Sequence, residues 1–292
     1  MILANLAFLG VNALVSDQQF QDWGWRIPFL ASVVLIGLSM YVQLHLEETP
    51  AFKELQNYQA AQSGALVQAD TDVDQQARPR PDNQNLKHSP VFEVIRSHPR
   101  QILLAAGAFI AVQVTFYILV VFVVAYGTQP TGLNLPREFL LAAVLISSIV
   151  QIPANFGAAI YSDRMGRRGI YMAGAILGGI WAFALFPLID TGSFLWITFA
   201  ICVAQIFMGM MYGPQAALLA ELFSTHVRYS GASLGYQLGA IVGGAFAPII
   251  ATALWSQFGT IYVAIYIATA SLLTLISVVM LTETRGRSLR EI

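Results

Sequence analysis

Three observations predict an all-α protein that crosses a membrane many times. Hydrophobic residues fill 57% of the 292 positions and charged residues only 11%, against about 25% charged in an ordinary soluble domain. Apolar runs of about 20 residues, the length a helix needs to cross a hydrocarbon core about 30 Å thick, follow one another along the chain. The few charges collect between those runs, as in Asp163-Arg164-Met165-Gly166-Arg167-Arg168. The lipid bilayer is therefore the first partner the chain predicts. A net charge of −1 points to no nucleic-acid partner. The single cysteine, Cys202, lies inside an apolar run, so an intrachain disulfide and a cysteine metal cluster are both excluded.

Residues 1–15 are apolar but short, and no Lys or Arg precedes them, so they read as a transmembrane helix rather than a signal peptide. Trp23, Trp25 and Arg26 mark a headgroup interface, and Ile27 to about Leu46 forms the second span. Thr49-Pro50 reads as an N-cap followed by proline in the first turn of a short surface helix through about Ala60. Residues 61–87 are rich in Gln, Asp, Ala and Pro and hold no aromatic residue. Such a segment cannot bury enough apolar area to offset its ordering entropy, so it reads as a linker. Ser89-Pro90 repeats the cap signal ahead of an amphipathic helix carrying Val91, Phe92, Val94 and Ile95. Six spans follow, near 101–126, 138–161, 169–189, 195–220, 230–255 and 261–282. The expected divisions are thus 1–46 (two helices), 47–98 (linker with short surface helices), 99–283 (six helices) and 284–292 (tail).

Arginine placement orients the spans. Short cytoplasmic loops carry excess Lys and Arg, and the Asp163 loop holds three arginines. With that loop cytoplasmic, the linker, the Glu221–Tyr229 loop and the tail are cytoplasmic too. Those segments hold 13 of the 15 basic residues, and only Arg26 and Arg137 fall on the other side. Six spans after the linker and two before it are unequal halves, whereas many transporters pair two related halves of six. On that plan four N-terminal helices are missing, and the chain reads as a fragment.

Five constellations stand out. Asp163, Arg164, Gly166, Arg167 and Arg168 form the first, Glu221 with Arg228 the second, and Glu283 with Arg285 the third. All lie on one face at the ends of consecutive helix pairs, and together they read as a shared charge network that could latch one conformation. An Asp there can also pair with the positive N-terminus of a neighbouring helix, and Gly166 permits a tight turn. The bland alternative is a solvated basic loop, because exposed ion pairs contribute only about 0–1 kcal/mol. Gly231, Gly235, Gly239 and Gly243 form the fourth: a spacing of four aligns them on one face, where another helix backbone can approach closely, for static packing or for sliding. Gly213-Pro214 adds a candidate kink, because proline removes a helix hydrogen bond. The fifth is the set of uncharged polar residues at mid-membrane depth: Gln113, Tyr117, Gln151, Asn155, Gln205, Tyr212 and Gln237, with Gln215 and Tyr236. Polar groups there are costly unless they face protein or water, so as a group they are the candidate substrate pathway. Helix–helix hydrogen bonding without a ligand is the alternative.

These residues carry a resemblance. The chain resembles the C-terminal part of major facilitator superfamily transporters, in particular the metabolite:proton symporters. The resemblance rests on Gly24-Trp25-Arg26-Ile27-Pro28-Phe29, Leu46-Glu47-Glu48-Thr49-Pro50, the Ser162–Arg168 stretch, Gly213-Pro214-Gln215, Ala220-Glu221-Leu222-Phe223 and Val227-Arg228-Tyr229-Ser230-Gly231. It covers nearly everything outside the linker and is most specific over 229–244. It implies a major-facilitator-type helical bundle, with one complete six-helix half plus two helices of the other, and places the Asp163 loop where the superfamily repeats its gating motif. Two departures matter: Ala159 stands where that motif usually has glycine, and Thr282 stands where sugar porters often have proline. The resemblance further implies a multi-pass protein of the bacterial cell membrane, monomeric when full length, that needs no cofactor.

No Asp, Glu, Lys, Arg or His lies mid-span in the six helices. A proton relay needs a titratable group, so the coupling carboxylate, and any arginine for an anionic substrate, is expected outside them. The four histidines, His45, His88, His98 and His226, all fall near the cytoplasmic surface. H-E-x-x-H does not occur, and the expectation is not an enzyme. The leading reading is a secondary active transporter that moves a small organic acid or osmolyte with protons by alternating access, the fragment being inactive alone. The alternatives are a truncated, non-transporting membrane protein and a sugar-porter-like carrier.

Overall fold

The computed structural model describes residues 6–8, 10–11, 14–45, 90–223 and 227–281, which fall into two compact units, one within 6–87 and one from 88 onward. Seven helices among them are long and apolar enough to cross a membrane. The surface helix expected at 50–60, the linker 61–87, Glu283 and Arg285 lie outside the described residues.

In the first unit, residues 6–8, 10, 11 and 14 of the first predicted span are helical. A five-residue π-helical turn, Phe20–Gly24, leads to α1, Arg26–His45. Aromatic edges fix this entry: Phe8 meets Phe20 at 6.3 Å and Phe29 at 6.1 Å, and Trp25 meets Phe29 at 6.0 Å. The Arg26 guanidinium sits 5.0 Å from the centre of the Trp25 ring, the cation–π pairing of residues that anchor at headgroup level.

The second unit is a short helix and six spans. Helix α2, Pro90–Ser97, buries Val94 completely against Ile102, Ala105, Leu219, Phe223 and Val227, so it packs with the bundle. The spans are α3 (Pro99–Thr128), α4 (Arg137–Met165), α5 (Arg167–Ile189), α6 (Phe194–Ala220), α7 (Arg228–Phe258) and α8 (Thr260–Met280). Boundaries follow the expected spans within a few residues, with one instructive difference. The predicted loop 162–168 shrinks to a single residue, because α4 stays helical through Met165 and α5 starts at Arg167. Charged side chains mark where the bilayer ends, and the helix need not end there. Gly166 makes the turn with φ 102°, a backbone conformation open to glycine and strained for other residues.

Lipid is as apolar as leucine, so these helices associate through close packing and interhelical hydrogen bonds rather than through water exclusion. Glycine supplies the close approaches. A methyl group on Gly235 or Gly239 would come within 2.7 Å of Ala105, Ala106 or Phe109, and one on Gly243 within 2.8 Å of the Ile110 carbonyl. The glycine ladder of α7 therefore lies on α3. Helices α4 and α6 run in the same direction, and a methyl on Gly213 would meet the Asn155 carbonyl at 2.5 Å and the Ala159 amide at 3.0 Å. Beside Ala159, where the related motif usually has glycine, the close approach is thus made by a glycine of α6. Helix α6 is continuous across Pro214.

A hydroxyl joins α8 to α3. Thr274, fully buried, accepts from the Ala111 N–H at 3.0 Å and donates to the Gly107 carbonyl at 2.8 Å, two groups one helical rung apart. Tyr171 of α5 donates to the next carbonyl, Ala108, at 2.8 Å. Further along, α3 passes through a π-helical turn at Ile118–Phe122, and α7 through another at Ile241–Ala245.

Candidate functional site

The arginine-rich end of the bundle is built around Arg167, the first residue after the Gly166 turn. Its Nη1 lies 2.6 Å from Glu221 Oε1 at the end of α6, and its Nη2 lies 3.5 Å from Asp163 Oδ1 one turn back on α4. One guanidinium thus ties three helix ends together. The Glu221 contact is the sheltered one, with side chains 20% and 15% exposed, whereas the Asp163 side chain is 68% exposed. Arg168 takes a role that sequence alone did not assign. Its Nε donates to the Val278 carbonyl at 3.1 Å and its Nη2 to the Val279 carbonyl at 2.7 Å. These belong to the last turn of α8, where the Val278 carbonyl also accepts from the Leu281 N–H at 3.2 Å. Arg228 donates through Nε to the Phe223 carbonyl at 3.4 Å, closing the α6–α7 turn, and Arg164 is exposed. The expected cluster therefore assembles around Arg167 and Glu221, with Arg168 turned to α8.

At the opposite end lies a second clasp, absent from the sequence reading. Tyr126 of α3 donates to Asp190 Oδ1 at 2.6 Å, and Thr260, the first residue of α8, donates to Asp190 Oδ2 at 3.3 Å. One carboxylate beyond the end of α5 joins three helices. The only sequence signal was a lone Asp in a short loop.

The mid-membrane polar residues divide into two groups. Gln113 and Tyr117 lie on the α3 face that meets Gly243 and Gly244, and Tyr236 lies within electrostatic range of both Tyr117 and Tyr212. Tyr212 and Tyr236 are 46% and 39% exposed, and Gln237 is exposed too. Helices α3, α6 and α7 thus each contribute a phenol, and those of Tyr212 and Tyr236 are exposed. The second group is internal. Gln205 is fully buried and Gln215 nearly so, and neither amide finds a hydrogen-bond partner among the described residues. Asn155 Oδ1, at the close approach of Gly209, likewise has no partner among the described residues. Gln151 lies half-buried on α4, one turn before Asn155.

Comparison with known proteins places this architecture. The model of the sugar (and other) transporter family matches residues 1–292. The chain belongs to this family of the major facilitator superfamily. It is 34% identical to the shikimate transporter of Escherichia coli (strain K12) over 281 residues, 94% of this chain and 58% of that protein. An inner membrane metabolite transport protein of the same strain is 32% identical, over 98% of this chain and 60% of its own length. The proline/betaine transporter of that strain is 25% identical, over 96% and 52%. The chain therefore spans between 52% and 60% of the length of these relatives. As a member of the family it is a multi-pass, helical membrane protein.

Proposed function

We propose that this chain is part of a secondary active transporter that moves a small organic acid or osmolyte together with protons by alternating access. The observation that carries the reading is the set of uncharged polar side chains at membrane depth, with Gln113 and Tyr117 on one face of α3 and Tyr212, Tyr236 and Gln237 exposed on α6 and α7. Phenols and amides can hydrogen-bond a polar solute at membrane depth, where such groups are costly without a polar surrounding. The relatives add the solute class, since one is named for shikimate and another for proline and betaine. The Arg167 cluster serves as the gate at the cytoplasmic end. Its contacts join α4, α5 and α6 in one conformation and release them in the other. The linker and C-terminus are cytoplasmic on this reading, and the titratable group that takes the proton lies outside the six helices.

The test is uptake of labelled shikimate, proline or betaine into proteoliposomes. The full chain is compared with a fusion that places before it the N-terminal residues of the shikimate transporter to which it does not align. The fusion is expected to accumulate one of these solutes when a pH gradient is imposed, and the chain alone to accumulate none. Uptake by the fusion that ignores the pH gradient refutes proton coupling. Gradient-driven uptake by the chain alone refutes the assignment of coupling to other helices.

A further inference from the structure

Between α4 and α5, in the half of the bundle next to the Gly166 turn, a groove of about 580 Å3 opens on the surface of the six-helix unit. Ala154, Gly157 and Tyr161 form one wall, Gly169 and Ala173 the other, and Met210 of α6 part of the floor. Outside its own stretch of helix, no atom of the described residues lies within 4 Å of where a methyl would stand on Gly157 or Gly169, so both walls are cut back along the groove. Its volume falls in the range of about 300–1,000 Å3 typical of small-molecule sites. Apart from the Tyr161 hydroxyl, the lining side chains named here carry no polar group.

We infer that this groove holds one acyl chain of an anionic phospholipid, with the phosphate at Arg164. Charge and register carry the argument. Gly157, Tyr161 and Arg164 stand at i, i+4 and i+7 on α4, one face of the helix, and all three are exposed. That face runs from an apolar slot, through a phenol at its mouth, to a guanidinium at the membrane surface. A phospholipid has the same sequence of chemistry: hydrocarbon, ester and glycerol, phosphate. Asp163 is turned to Arg167, so the side chain next to Arg164 is already engaged elsewhere. Basic clefts between membrane helices on the cytoplasmic side are suited to anionic headgroups. A zwitterionic lipid would fill the slot equally well but would bring a compensating cation to the arginine.

The experiment is native mass spectrometry of the full chain, delipidated in detergent and then given equimolar phosphatidylglycerol and phosphatidylcholine with identical acyl chains. The wild-type chain is expected to retain phosphatidylglycerol in preference. Arg164→Gln, at an exposed position that leaves the fold intact, should lower that preference about fivefold. Gly157→Leu and Gly169→Leu fill the slot from opposite walls, and each should remove the retained lipid while preserving the cooperative unfolding transition. Equal retention of the two lipids by the wild type, or an unchanged lipid complement in either filled variant, overturns the inference. Lipid retention is read without transport, so it stands or falls independently of the uptake experiment.

Discussion

The seam between α4 and α6 makes a prediction in which one substitution has opposite signs at two positions. Replacing glycine by alanine inside a helix favours folding by about 0.5–1 kcal/mol, because the unfolded chain loses freedom. At Gly157 nothing opposes that gain, since the new methyl points into open space. At Gly213 the same methyl would stand 2.5 Å from the Asn155 carbonyl, 3.0 Å from the Ala159 amide and 3.1 Å from the Ala158 methyl. Two of these three atoms are backbone, so no rotamer change relieves them and the helices must separate locally. Overpacking of this kind costs about 1–3 kcal/mol. The propensity gain is common to both variants, so the difference between them isolates the contact and should be about 1–3 kcal/mol, with Gly213→Ala the less stable. Unfolding in mixed micelles with increasing dodecyl sulfate, followed by the fluorescence of Trp181, Trp196 and Trp255, measures it. If Gly213→Ala is as stable as Gly157→Ala, then α4 and α6 do not meet at this seam.

The Arg167 cluster predicts an ordering. Glu221→Gln discharges a sheltered 2.6 Å contact and should lower stability by about 1–2 kcal/mol in the same titration. Asp163→Asn weakens a 3.5 Å contact of an exposed side chain, so its cost stays within about 0–1 kcal/mol. In the transporting fusion, Asp163→Asn should nevertheless slow uptake while insertion stays normal; loss of the inserted protein would instead assign Asp163 to folding. At the other end, Tyr126→Phe removes the hydrogen bond to Asp190 and should cost about 1.5–3 kcal/mol, as for hydrogen bonds to charged groups. Asp190→Asn combined with Tyr126→Phe should cost less than the two changes separately summed. Additive losses would show that the two side chains do not act on one contact.

Span positions were legible because hydrophobic length is a local property. The α7 ladder was legible as a close-approach surface for a similar reason, since four glycines at a spacing of four lie on one face of any helix. The identity of the opposing helix was not legible. Nothing in Gly235 or Gly239 names Ala105, Ala106 or Phe109 on a span more than a hundred residues away. Arg168 shows the same limit. Its sequence neighbours suggested a common cluster with Arg167, yet it turns to two carbonyls about 110 residues distant. Tyr126 and Asp190 are 64 residues apart and were unremarkable singly. Depth in the membrane could be read from composition, but pairing depends on which helix faces which, and one sequence does not encode that in any periodic form. Among the polar residues, the shared face of Gln113 and Tyr117 followed from their spacing. The burial of Gln205 and the exposure of Gln237 follow from the packing of α6 and α7.

The single-residue joint at Gly166 leaves no slack between α4 and α5. Helix α5 runs for 23 residues beyond it, about 34 Å at 1.5 Å per residue. A tilt of about 1° at the joint therefore displaces the far end by about 0.6 Å, and about 5° moves it by about 3 Å, the length of a hydrogen bond. That far end carries Asp190, held by Tyr126 and Thr260. The arm and its two fastenings form a lever: a small change of angle where Arg167 grips Glu221 is large enough, at the opposite membrane surface, to break or make the bonds of a single carboxylate.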